Sequence, residues 1–169
     1  MKRFTMTHEF NCSPDTFWKL NFDREMNEQM YKKGLGFPEY TVTEQREDDR
    51  EIFRRTQATP TINAPAVVQK AMGSGFRYTE ETRFNKGTKV LTFKGIPSVM
   101  ADKLTTDGTM RVDPIADGKR CRRTIEVAID AKIFGVGGVF ESTAEDNMRQ
   151  SYDKSAAFMN KWIAEKNLA

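Results

Sequence analysis

His8 and Glu80 are the residues whose types and positions best suit acid–base chemistry or the anchoring of a polar ligand group. His8 is the only histidine, and it alternates with Phe4, Met6 and Phe10, so it shares one face of a predicted strand with apolar side chains. An inward-pointing imidazole could hydrogen-bond a ligand or act as a general base. A core histidine with satisfied hydrogen bonds is the commoner arrangement, and we favour it for His8.

Glu80 lies in a second alternating run. One face of this run is mainly aromatic and the other is wholly polar: Phe76, Tyr78, Glu80, Thr82 and Phe84 against Arg77, Thr79, Glu81 and Arg83. The alternation predicts that Tyr78 and Glu80 point inward. A carboxyl group among aromatic rings is suited to anchor a ligand hydroxyl or ammonium group, whereas on an exposed face Glu80 would be an ordinary surface acid.

No metal or redox motif accompanies these residues. The two cysteines, Cys12 and Cys121, are far apart and form no CxxC pair, so we expect free thiols, no metal and no cofactor. The basic run at residues 119–123 is better explained as a solvated strand start than as a phosphate site. The net charge of +3 comes from interspersed charges, and we expect no nucleic-acid partner.

Periodicity and end signals indicate the elements that would position these residues. Period-two alternation predicts seven strands, at residues 3–10, 40–44, 51–57, 76–84, 89–95, 101–112 and 119–131. Start and end signals predict two short helices after the first strand, from 13 to about 20 and from 23 to about 33, and another at 64–72. In the last strand, Ile125 and Val127 should line the core or a tunnel, with Arg123 near its rim.

The hydrophobic pattern of residues 139–166 predicts one long amphipathic helix. Apolar side chains recur there at three- and four-residue spacing, and Met148, Tyr152 and Met159 fall on the inner stripe. Flexible methionine side chains suit an adaptable apolar pocket, although a helix–sheet core would use the same stripe.

The whole pattern predicts a single α+β domain over residues 1–169, in which a curved antiparallel sheet packs against the C-terminal helix. No apolar stretch reaches about 18 residues, and the first residues alternate instead of forming a signal-peptide block. We therefore expect a cytoplasmic protein.

This order of elements resembles the START-like (helix-grip, SRPBCC) superfamily. The likeness rests on SPDTFW at residues 13–18 after the first strand and on the terminal amphipathic helix. Within the superfamily the chain is most similar to a START-like family of unknown function, through TMTHEF at 5–10, the proline-marked insert at 60–73 and FGVGGVFE at 134–141.

The resemblance implies a sheet wrapped round the final helix and an apolar tunnel that holds a lipid, sterol or other hydrophobic small molecule. The residues expected to contact that ligand are His8, Phe10, Tyr78, Glu80, Phe93, Ile125, Val127, Met148, Tyr152 and Met159.

The sequence is compatible with three functions. We favour a protein that binds or transfers a hydrophobic molecule, with transient membrane contact as an open question. The second is a cyclase or dehydratase that acts on a polyketide-like substrate, with His8 or Glu80 as its acid–base residue. The third is a protein-interaction module that uses exposed apolar loops.

Overall fold

The structure is a computed structural model that describes residues 1–169. Its strands are β1 (Lys2–Phe10), β2 (Glu39–Glu47), β3 (Glu51–Thr59), β4 (Tyr78–Asn85), β5 (Val90–Pro97), β6 (Leu104–Ile115) and β7 (Arg120–Ala131). Its helices are α1 (Pro14–Asn21), α2 (Arg24–Gln29), α3 (Ala66–Met72) and α4 (Gly137–Glu165), and a π-helical turn, Met30–Gly34, follows α2.

The strands form one seven-stranded antiparallel sheet in the order β1-β7-β6-β5-β4-β3-β2. The first strand therefore pairs with the last, while the others follow one another as hairpins. Together with the long α4 and the two short helices after β1, this confirms the predicted α+β helix-grip fold. No helix is both long enough and apolar enough to cross a membrane.

Several element ends differ by two or three residues from the predicted ones, and two of the differences have a clear local cause. The strand predicted from residue 101 begins at Leu104, because Met100 has a positive φ of 54° and its carbonyl accepts from the amides of Lys103 and Leu104 in a tight turn. The helix predicted at 23–33 widens after Gln29 into the π-helical turn, in which the Leu35 amide donates to the Met30 carbonyl. The wider turn allows Tyr31 to stack on Tyr40, with ring centroids 3.9 Å apart.

Helices α1 and α2 close one end of the sheet. Each begins at a residue whose side chain accepts an early amide of its helix, Ser13 from Thr16 and Asp23 from Met26. The first helix then brings Phe17 and Trp18 against β1 and β4. Phe17 meets Phe10 with ring centroids 4.9 Å apart, and Trp18 meets Phe84 at 4.3 Å. Both cysteines are buried near this end as free thiols.

Helix α4 crosses the sheet and packs directly against β1 and β7. Its amphipathic pattern buries Ser155, Met159 and Ile163 towards the sheet. Asn160 fixes the helix against the edge strand, because its side chain donates to the Glu9 carbonyl and accepts from the Asn11 amide, both at 2.9 Å. Hydrogen bonds of this kind also cover the outer edge of β1, which would otherwise be free to pair with another strand.

The register of β3, β4 and β5 decides which residues face α4. Thr56 on β3 and Gly95 on β5 both pair with Glu80, so these three residues share the inner face. On the outer face Arg55 binds Glu81 and Arg83 binds Glu51, at 2.9 and 2.8 Å. A one-residue slip would exchange the two faces, so this register is what places Glu80 inside the protein.

Gly108 on β6 is a point where the sheet depends on the absence of a side chain. It pairs with Phe93, and an added Cβ would overlap the Phe93 ring and the Glu126 backbone oxygen. We expect Gly108→Ala to lower the free energy of unfolding by about 1–3 kcal/mol, as other overpacked cores do, in urea denaturation.

Gly95→Ala is the matched control for this substitution, since its added Cβ would lie 3.5 Å from the Thr106 Cβ, an ordinary van der Waals contact. Equal stability losses in the two variants would contradict the packing described for Phe93.

Candidate functional site

A cavity of about 280 Å³ lies between α4 and the inner face of the sheet. Most of the residues that line it are hydrophobic. The sheet contributes Leu91, Phe93 and Met110, and the helix contributes Met148 and Met159. The cavity is therefore an apolar space inside the domain, walled by the two elements that define the fold.

The segment that joins β3 to β4 covers one end of this cavity. Pro60, Ile62 and, on α3, Val68 line it there. The segment is fastened to α4 at Asn147, whose side-chain amide donates to the Asn63 carbonyl at 2.8 Å and accepts from the Asn63 amide at 3.1 Å. Two hydrogen bonds thus hold this cover on the helix.

Six ionisable side chains interrupt the apolar lining: Tyr31, Arg54, Tyr78, Glu80, Arg123 and Tyr152. Burial raises the pKa of the hydroxyls of Tyr31, Tyr78 and Tyr152 above the usual value. These hydroxyls therefore stay protonated at neutral pH and can donate hydrogen bonds. None of the three makes a hydrogen bond with the protein, so all are free to meet a ligand.

Glu80 is the only carboxyl group that lines the cavity. It forms no hydrogen bond or ion pair with the protein and keeps accessible surface, which faces the cavity. Burial raises the pKa of Glu80 above its usual value, while the charge of Arg54 acts in the opposite direction. The arrangement favours a carboxyl group that holds its proton more readily than a surface glutamate.

Arg54 and Arg123 are both buried, with 5% and 3% of their surface exposed. Arg54 donates to the Asn21 carbonyl at 2.7 Å and lies over the Phe22 ring. Arg123 donates from Nη2 to the Tyr152 carbonyl at 3.2 Å and lies over the Tyr152 ring. Burial lowers the pKa of Arg123 to about 10, which leaves the guanidinium charged at neutral pH.

His8 lies outside the cavity, directly behind Arg123. Nη2 of Arg123 is 3.1 Å from Nδ1 of His8, and Nε2 of His8 is 2.8 Å from a carboxylate oxygen of Asp153. A guanidinium can only donate, so Nδ1 must accept and the proton of a neutral imidazole must lie on Nε2, where it donates to Asp153. Burial, and next the charge of Arg123, lower the pKa of His8, against the opposing effect of Asp153.

The residues predicted as ligand contacts divide into two groups. Six line the cavity: Tyr78, Glu80, Phe93, Met148, Tyr152 and Met159. The other four do not, since His8 stands behind Arg123 and the side chains of Phe10, Ile125 and Val127 are buried in the core. Ligand contact by any of the ten stays a prediction.

The position predicted for Arg123 was wrong, because this residue is buried in the cavity wall and not near a rim. Arg54 and Tyr31 were missed. The alternation of β3 carried a signal for Arg54, which shares its face with Thr56 and Ala58, both buried. The sequence signal for Tyr31 is that it shares the apolar stripe of its helical segment with Met26 and Met30, which does not distinguish a cavity wall from a packed core.

Residues 5–163 match the family described as "Protein of unknown function (DUF2505)". The chain belongs to this family. No curated protein matches its sequence. The match begins within β1 and covers the other six strands and almost all of α4, so it includes every residue that lines the cavity of this DUF2505 member.

Solved structures share the fold of this DUF2505 protein at low sequence identity. TTHA0849 from Thermus thermophilus is 16% identical with a TM-score of 0.68, over 98% of this chain and 99% of that one. The Zhui aromatase/cyclase from Streptomyces sp. R1128 is 11% identical with a TM-score of 0.65, over 96% and 95%. Norcoclaurine synthase from Thalictrum flavum is 13% identical with a TM-score of 0.62, over 97% and 87%. The START-like fold predicted from the sequence is thereby confirmed.

The environment of His8 predicts how it titrates. Because it is the only histidine, its imidazole proton signals can be followed by NMR without further assignment. We expect a pKa below the usual 6.5, because burial disfavours the charged imidazolium and because protonation would also place a charge beside Arg123 and remove the acceptor at Nδ1. A titration midpoint at or above 6.5 would contradict this arrangement.

The lowered pKa of His8 makes the free energy of unfolding depend on pH. Below pH 6.5 the unfolded chain takes up the proton of His8 more readily than the folded protein does. The stabilisation that neutral His8 contributes to the folded protein is therefore fully present above pH 6.5. It is lost as the pH falls towards the pKa of His8 in the folded protein. His8→Gln, which cannot titrate, should lose less unfolding free energy than the parent between neutral and mildly acidic pH.

Proposed function

We propose that this DUF2505 protein binds a small hydrophobic molecule in the cavity between α4 and the sheet. The observation that carries the proposal is the cavity itself. Protein interiors are packed about as densely as organic crystals, and few voids exceed the size of a water molecule. An apolar space of about 280 Å³ is instead close to the lower limit of small-molecule pockets, which begin at about 300 Å³.

Energetics support the same proposal. Burial of apolar surface yields about 25 cal/mol per Å² removed from water, so the apolar walls of the cavity favour an apolar ligand over water. Such a ligand would stabilise the folded protein by mass action.

The volume limits the size of the proposed ligand. An engineered cavity of about 150 Å³ binds benzene, and scaling by volume gives room for roughly a dozen non-hydrogen atoms in a space of about 280 Å³. A two-ring aromatic molecule or a short acyl chain meets this limit. A sterol or a whole phospholipid would require the cavity to widen, with the cover at Asn63 and Asn147 as the segment that would have to move.

Catalysis is the second candidate function, and Glu80 is the observation that favours it. An unpaired carboxyl group with a raised pKa, among tyrosine hydroxyls in an apolar cavity, is suited to general acid–base work. Two proteins of similar fold are enzymes by name, an aromatase/cyclase and a norcoclaurine synthase. We favour binding because no second carboxyl group and no histidine line the cavity to share a proton with Glu80.

A matched pair of alanine substitutions on α4 tests the binding proposal. Ala144 lines the cavity, whereas Ala157 is exposed on the same helix. We expect neutral 2-naphthalenemethanol to bind the parent protein at one site in isothermal titration calorimetry. Ala144→Phe should weaken this binding roughly tenfold or more by filling the cavity, and Ala157→Phe should leave it unchanged.

Absence of saturable binding to the parent protein would count against the proposal. Equal affinity in the Ala144→Phe and Ala157→Phe variants would show that the molecule binds elsewhere.

A further inference from the structure

The cavity wall contains two buried positive charges without an acidic partner. Neither Arg54 nor Arg123 forms an ion pair, although both are more than nine-tenths buried. Their hydrogen-bond acceptors are all neutral: the Asn21 carbonyl for Arg54, and the Tyr152 carbonyl, the Ser155 hydroxyl and the His8 imidazole for Arg123. Buried charges in proteins are normally paired, so the cavity wall lacks the negative charge that would balance these two arginines.

Each guanidinium also has nitrogens that the protein does not use. The Nε atoms of Arg54 and Arg123 are buried and have no hydrogen-bond partner. All three protein contacts of Arg123 are made by Nη2, which leaves its Nη1 without a partner. Nη1 keeps accessible surface. Because Arg123 lines the cavity, Nη1 is available to a molecule inside the cavity.

Glu80 does not supply the missing negative charge. It makes no ion pair with either arginine, and burial raises the pKa of its carboxyl group, which favours the neutral acid. Asp153 is 74% exposed and reaches Arg123 only through the His8 ring, so solvent screens its charge. An anion bound in the cavity would therefore meet at least one unbalanced positive charge at short range.

We propose that the cavity ligand is an amphiphile whose polar end is a carboxylate, bound by Nη1 of the Arg123 guanidinium, with its apolar body against Phe93, Met148 and Met159. This inference rests on the binding function proposed above and names the chemical class of the ligand. Nη1 of Arg123 can donate a charge-assisted hydrogen bond to an oxygen of this carboxylate. The hydroxyl of Tyr152, the residue whose ring lies under Arg123, is a further donor for the same group.

His8 has a positioning role in this site. By accepting from Nη2 of Arg123 it holds the guanidinium plane, while the Tyr152 carbonyl and the Ser155 hydroxyl hold the same nitrogen from α4. Nη1 is left for the ligand. The lone histidine thus acts through Arg123 without touching the bound molecule.

Three naphthalene derivatives of nearly equal size test the charge preference: 2-naphthoate, 2-naphthamide and 2-naphthylmethylamine. They differ mainly in carrying a negative, a neutral or a positive polar group. We expect calorimetry on the parent protein at neutral pH to show 2-naphthoate bound roughly tenfold or more tightly than 2-naphthamide, with the amine weakest. This comparison needs no mutation and so does not depend on how a variant folds.

Neighbouring arginines on β7 provide the matched variants. Arg123 faces the cavity, whereas Arg122 is exposed on the other face and pairs with Glu9. Arg123→Gln should reduce the preference for 2-naphthoate over 2-naphthamide to within about twofold, and Arg122→Gln should leave it unchanged. The second variant also measures how much the positive surface attracts the anion.

The outcomes separate the two proposals. Equal affinity for 2-naphthoate and 2-naphthamide would overturn the carboxylate inference but not the binding function. Tightest binding of 2-naphthylmethylamine would do the same, and it would indicate Glu80 as the residue that binds the polar group. A preference for the acid that Arg122→Gln abolishes as fully as Arg123→Gln would also overturn it. No binding of any of the three molecules would count against the binding function itself.

Discussion

The structure depends on one packing constraint, which is that a single helix covers a seven-stranded sheet. Helix α4 packs directly against β1 and β7. It therefore fills the concave side near one edge of the sheet, and the inner faces of β3 to β6 wall the cavity together with Arg123 and Ile129 of β7. Side chains such as Leu91, Phe93 and Met110 face that space from the sheet, and Met148 and Met159 face it from the helix. The fold and the cavity thus arise from the same geometry.

Arg123 connects this geometry to the chemistry of the cavity. Its guanidinium joins β7 to α4 through Tyr152 and Ser155, and to β1 through His8. Removing one partner from a buried charge is strongly destabilising, so this residue is both a structural contact and part of the cavity wall. The same guanidinium thus helps to hold α4 on the sheet and supplies positive charge to the cavity wall.

Sequence periodicity was enough to predict all seven strands, the long helix and the inward direction of Tyr78 and Glu80, because alternation and three- to four-residue spacing follow directly from backbone geometry. It was not enough for Arg123 and Arg54. A charged residue on an apolar strand face is ordinarily expected at an end of the strand, and only the curvature of the sheet shows that these two are enclosed. The π-helical turn brings Tyr31 against Tyr40 of β2, a contact between two elements that no local pattern encodes.

The most direct test of the central claim follows the methionine methyl groups by NMR while a small hydrophobic molecule is added. Of the nine methionines, five line the cavity and four do not: Met30, Met72, Met110, Met148 and Met159 against Met1, Met6, Met26 and Met100. With 2-naphthalenemethanol added to protein labelled at the methionine methyls, the account predicts saturable shifts that are largest in the first group. Shifts centred on exposed Met1, or no saturable shift at any methyl group, would contradict it.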